Sequence, residues 1–98
     1  TDKALEIYHR ILIIHPHYTN AIYNIGYIHL VYNNNPQQAK TFFTQVLQID
    51  SLRADAWYNK GYCNELLNFA TESKKDYTKA LQIKLDYTKA QQALKQLH

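Results

Sequence analysis

Residues 21–27, AIYNIGY, return as AWYNKGY at residues 56–62 with five of seven letters unchanged. Such a recurrence constrains a chain more than its composition does. Each copy must be one structural unit whose apolar face is covered by the next. The same offset runs through Ala4, Ala39 and Ser73, through Tyr8, Phe43 and Tyr77, through Ile11, Val46 and Ala80, and through Ala21, Ala56 and Ala90. Every first step is 35 residues and every second step is 34. The extra residue therefore belongs to the polar stretch shared by all the first intervals, Asn33, Asn34, Asn35 and Pro36.

Between these landmarks the apolar residues have helical period. Ala4, Tyr8, Ile11 and Leu12 recur at steps of three and four, as do Ala39, Phe43, Val46 and Leu47. Only two Gly and two Pro occur in 98 residues, fewer than a strand-rich fold needs for its turns. Asn35 can cap a helix that begins at Pro36, and Ser51 and Asp86 stand where later caps are needed. The pattern predicts an all-α chain with helices near 2–14, 19–32, 36–49, 53–67, 70–84 and 87–97.

A 34-residue helix–turn–helix unit with small–aromatic–small spacing and a Trp-x-x-x-Gly start, as at Trp57 and Gly61, resembles the tetratricopeptide repeat. The resemblance implies a right-handed α-solenoid of antiparallel helix pairs in one domain. Residues 19–53 and 54–87 are then full repeats, 1–18 the second helix of a partial repeat, and 88–98 a capping or partial-repeat helix. The sequence departs from the family pattern in places. Ile22 stands where Trp57 stands, Asn33 and Asn68 replace the turn glycine, and Ser51 and Leu85 take the place of Pro16.

Several residues have structural readings. Glycine within a helix costs about 1 kcal/mol relative to alanine, so Gly26 and Gly61 are expected to allow close approach to Ala39 and Ser73. Tyr8, Ile28, Phe43, Val46, Leu47 and Tyr77 read as core. Lys60 interrupts a stripe that Ile25 continues, and is expected to lay its stem on apolar surface with the ammonium in water. Lys74, Lys75, Asp76 and Lys79 read as a solvated face, which argues against nucleic acid even though the net charge is +3. Cys63 is the only cysteine and reads as a small buried hydrophobe. His9, His15, His17, His29 and His98 have no i, i+4 pair and no Cys or carboxylate cluster, so neither metal nor other cofactor is expected.

The remaining repeated residues have two readings, packing against a neighbouring helix or contact with a ligand. Tyr23 and Tyr27 share a helix face, as do Tyr58 and Tyr62. The resemblance places both pairs on first helices, which line the concave surface. Asn24 and Asn59 sit within helices, where propensity does not favour them, and their amides can pair either with an extended peptide backbone or with a neighbouring helix. Asp55, Glu65 and Lys89 would form a mixed-charge rim.

Some family members grip the carboxylate terminus of heat-shock chaperones with paired basic residues and Asn. Here Asn59 and Lys89 match that arrangement, but Tyr23, Tyr27 and Ala93 replace the other positions, so a two-carboxylate clamp is not expected. The expected function is non-catalytic: a protein-interaction module that binds a partner peptide in its groove. No phosphate loop or placed nucleophile indicates an enzyme. The alternative is a spacer or self-associating segment of a longer array, with Ile7, Ile11 and Ile14 partly uncovered. No apolar run of about 18 residues is present, so no membrane span is expected. Without an initiator methionine or signal-like start, the sequence is expected to be a piece of a longer protein, and its compartment is left open.

Overall fold

The structure, a computed structural model, describes residues 2–97. His98 lies outside the described residues. Six helices account for most of the chain: α1 (Asp2–Ile14), α2 (Thr19–Val31), α3 (Pro36–Ile49), α4 (Ala54–Leu66), α5 (Ala70–Ile83) and α6 (Thr88–Gln96). Each helix packs on the next in sequence, and the stack extends 41 × 25 × 18 Å. Local, sequential packing of this kind is what a short-period repeat imposes, because every unit finds its partner next door.

The core lies between α2, α3 and α4. Ile22, Val46, Leu47 and Ala56 are buried together, with Leu12, Phe42 and Trp57 against them. Leu30, Ala39, Phe43 and Cys63 form a second cluster, and Tyr23 packs on both. The repeat landmarks are thus mainly core residues. Tyr8 is only half-buried, because α1 has a neighbour on one side and buries no residue fully.

Turn chemistry differs from expectation in three places. Asn35 does cap α3, accepting the Gln38 backbone N–H at 3.2 Å, with Pro36 in the first turn. Ser51 and Asp86 are not caps. The N-cap positions of α4 and α6 belong to Arg53 and Tyr87, neither of which makes a side-chain cap. Their turns are tied otherwise: the Asp50 carboxylate accepts from Leu52 N at 3.1 Å, and the Trp57 indole donates to Ser51 O at 2.8 Å. The left-handed residues that close α2 and α4 are Asn34 (φ 49°) and Asn68 (φ 67°), so Asn33 is not the glycine substitute.

The extra residue of the first repeat is taken up at the exit of α2. Asn33 N reaches Ile28 O at 3.1 Å and Asn35 N reaches His29 O at 2.8 Å. In the second repeat Phe69 N closes on Asn64 O at 2.8 Å, one residue sooner.

The glycines face rings rather than the small residues expected. A Cβ on Gly26 would meet the Phe43 ring at 3.1 Å, and one on Gly61 would meet the Tyr77 ring at 2.9 Å. Ser73 does touch its expected partner, donating its hydroxyl to Gly61 O at 2.8 Å.

Lys60 is not a snorkelling surface residue. Its Nζ lies 3.2 Å from Asp76 Oδ1, and the Asp76 side chain is only 6% exposed. Asn64 donates to the other carboxylate oxygen at 2.7 Å. Asp76 therefore leaves the solvated face assigned to it. In the first repeat the equivalent positions are Ile25, Phe42 and His29, where the imidazole stacks on the Phe42 ring at 5.5 Å. One helix-pair interface is thus aromatic in the first unit and ionic in the second.

Candidate functional site

The face shared by α2, α4 and α6 carries the tyrosines. Tyr23 and Tyr27 stack at 6.4 Å between centroids, and Tyr23 meets Phe43 edge-on at 5.4 Å. Tyr58 lies against Tyr77 at 5.5 Å and against Tyr87 at 5.4 Å. Because i and i+4 residues sit one turn apart on a helix, each pair has an inner and an outer ring. The inner rings, Tyr23 and Tyr58, are half-buried, whereas Tyr27 and Tyr62 are 43% and 39% exposed.

Burial raises the Tyr23 and Tyr58 phenols above their ordinary range, with Asp55 adding to the effect on Tyr23 and Tyr62 to that on Tyr58. Loss of solvation disfavours the phenolate, so both stay neutral hydrogen-bonding groups.

The two asparagines are not equivalent. Asn59 is buried and donates Nδ2 to the Tyr23 hydroxyl at 2.7 Å, linking α4 to α2. Asn24 is half-buried and makes no side-chain hydrogen bond among the described residues. Asp55 is held by Arg53 Nε at 2.9 Å, while the same guanidinium donates to Asn20 Oδ1 at 2.8 Å and lies 4.1 Å from the Tyr23 ring centroid. This part of the face is internally paired.

The face between α4 and α6 is open. Tyr58, Tyr62, Glu65, Tyr77, Lys89, Gln92, Ala93 and Gln96 line a groove of about 220 Å³. At its floor Glu65 Oε1 accepts the Tyr77 hydroxyl at 2.7 Å. Of the site residues expected from sequence, Tyr58, Tyr62, Glu65 and Lys89 come together here. Tyr23, Tyr27, Asp55 and Asn59 belong to the adjoining α2–α4 face. Arg53, Tyr77, Tyr87 and Gln96 were not expected at the site. Tyr77 could have been found from Phe43 at the same repeat position, since the added hydroxyl has to find a partner.

Elsewhere, burial pushes the Cys63 thiol up to about 12, keeping it protonated and unreactive. Among the described residues no group of three or more His, Cys, Asp or Glu could hold a metal ion. None of the described helices is long and apolar enough to cross a membrane.

Stacked helix pairs with a tyrosine-lined face define an all-α helical-repeat protein. The tetratricopeptide repeat family matches residues 19–51 and 54–87, and the chain belongs to that family. Solved structures agree on the fold. The first such domain of Spaghetti (RPAP3), bound to an HSP90 peptide, SRMEEVD, superposes with a TM-score of 0.92 at 18% identity, covering 98% of this chain and 75% of that one. The Arabidopsis OM64 domain gives 0.92 at 24% identity, covering 99% and 79%. YrrB, described as having an unusual peptide-binding site, gives 0.84 at 26% identity, covering 96% and 48%. No curated protein matches the chain.

Proposed function

We propose that this chain is a non-catalytic interaction module that binds a peptide segment of a partner protein along the face of α2, α4 and α6. The observation that carries it is the pair of outer rings, Tyr27 and Tyr62, about two-fifths exposed on a face whose inner rings already satisfy the packing. Aromatic rings with a polar tip give large contact area at small entropic cost, which is why they concentrate at interfaces. Asn24 adds an uncommitted amide that can pair with an extended backbone. The HSP90-peptide complex of the structurally similar RPAP3 domain supports the same use of the fold.

Random peptides displayed on phage and selected on the chain test this. Selected peptides should lose about 1–2 kcal/mol of affinity for Tyr27→Ala and for Tyr62→Ala, with unfolding midpoints unchanged. Equal affinity for all three proteins would refute the assignment.

A second reading, self-association, is favoured by one observation. Ile13 and Ile14 are 80% and 73% exposed beside an apolar hollow formed by Ile14, His15, Pro16, His17 and Tyr18. Concentration-dependent light scattering that vanishes in Ile14→Lys would support it.

A further inference from the structure

The two repeats differ in how they finish the same part of the tyrosine face, and the difference resting on the groove reading above is chemical. In the first repeat Leu30 and Phe43 are packed in one apolar cluster. The equivalent residues of the second are Glu65 and Tyr77, joined by a hydrogen bond of 2.7 Å. An apolar pair has become a carboxylate and a phenol, and the carboxylate lines a groove instead of open solvent. No basic side chain pairs with Glu65 among the described residues, although Lys60, Arg10, Arg53 and Lys75 are all paired with other acids. A half-buried carboxylate among aromatic rings with no internal cation is a place where a ligand's cationic group can make a charge-assisted hydrogen bond.

The first repeat also shows which ligand group fits. There the Arg53 guanidinium lies over the Tyr23 ring at 4.1 Å while Asp55 accepts its Nε at 2.9 Å. Cation, tyrosine face and carboxylate form one unit. One repeat later Tyr58 takes the place of Tyr23, and the position of Arg53 is taken by Tyr87, which packs on Tyr58. The position of Asp55 is taken by Lys89, and Lys84 Nζ lies 5.3 Å from the Tyr87 ring. The tyrosine faces thus remain, while the carboxylate of this groove is Glu65, from another turn of α4. The negative faces of these rings favour a cation over an anion. Lys89, on the α6 wall of the groove, is exposed, so water and salt screen its charge more than that of Glu65.

We propose that the groove between α4 and α6 receives a lysine or arginine side chain of the bound peptide, stacked on the Tyr58 and Tyr62 rings with its charge on Glu65. Lys89 then sits on the rim, where it favours an acidic residue beside that basic one. The site selects a basic residue within the peptide and makes no use of a carboxylate terminus.

The test uses random peptides with amidated C-termini, selected on the wild-type chain and resynthesised with each arginine replaced by citrulline and each lysine by acetyl-lysine. The selected peptides are expected to contain a basic residue. Neutralising it should weaken binding to wild type about tenfold and to Glu65→Gln less than about twofold. The amide introduced by Glu65→Gln keeps an acceptor for the Tyr77 hydroxyl. As a second variant, Glu65→Leu with Tyr77→Phe restores the pair that the first repeat already packs, and it should lose the preference in the same way. Peptides whose binding depends on Tyr27 but which lack a basic residue, or lose equal affinity on all three proteins when neutralised, would overturn this inference and leave the groove intact. If no peptide is selected at all, both readings fall.

Discussion

The Asn59 amide donates to the Tyr23 hydroxyl over 2.7 Å, tying the first helix of one repeat to the first helix of the next. Both groups are at least half-buried, so removing either leaves the other without a partner and without water. An orphaned buried group costs about 1–3 kcal/mol, more than the bond itself contributes. Tyr23→Phe and Asn59→Ala are therefore each expected to lower stability by about 1–2 kcal/mol, and the double variant by much less than the sum. A double-mutant cycle in urea checks this, and strict additivity would mean that the bond is not formed.

Lys60, Asp76 and Asn64 support a sharper prediction, because the protein contains its own control. The same positions in the first repeat hold Ile25, Phe42 and His29. Buried ion pairs are costly to break and cheap to replace with well-packed apolar groups. The network is also incomplete, since Asn64 Oδ1 is buried without a hydrogen-bond partner. Asp76→Ala should destabilise by about 2–3 kcal/mol. The triple exchange Lys60→Ile, Asn64→His and Asp76→Phe should match or exceed wild-type stability. Chemical denaturation of the two variants measures both effects.

Gly61 and Gly26 should respond unequally to alanine. Either change gains about 1 kcal/mol of helix propensity. A Cβ at Gly61 falls 2.9 Å from a fully buried Tyr77 ring, whereas at Gly26 the nearest approach is 3.1 Å, to Phe43. Overpacking costs about 1–3 kcal/mol, so Gly61→Ala should lose about 1–2 kcal/mol net and Gly26→Ala less than about 1. Thermal unfolding of both variants gives the order.

The period, the six helices and the family were legible because they rest on residue spacing, which the sequence states directly. Helix ends came within a residue or two for the same reason. What spacing could not give is which partner a polar side chain takes across a helix pair. Lys60 and Asp76 each looked solvated on their own helices, and only the crossing of α4 and α5 brings them to 3.2 Å. For Asn59 the sequence left open a groove amide and a hydrogen bond to a neighbouring helix, and its link to Tyr23 depends on how one repeat rotates on the last. Ser51 and Asp86 were read as caps from residue type alone, but Arg53 and Tyr87 enter their helices two residues after Ser51 and one after Asp86. For Glu65 the clue was present: Leu30 and Phe43 change together to Glu65 and Tyr77.

The buried tyrosines also set an alkaline limit on stability. Burial is the main cause that raises the Tyr23, Tyr77 and Tyr87 phenols, Tyr87 to about 12, and Tyr77 is raised further by its bond to Glu65. In the unfolded chain they ionise near the ordinary value of about 10. Between those values the folded state holds more protons than the unfolded one, so stability falls as pH rises. It is complete below about pH 10 and declines above it. Because three phenols titrate over this range, the slope of wild type alone does not separate their contributions. Tyr77→Phe does. That variant should be less stable at pH 8, since Glu65 loses a donor, yet its urea midpoint should fall less steeply above pH 10 than that of wild type. Parallel slopes for the two proteins would show that the Tyr77 phenol ionises alike in the folded and unfolded chains.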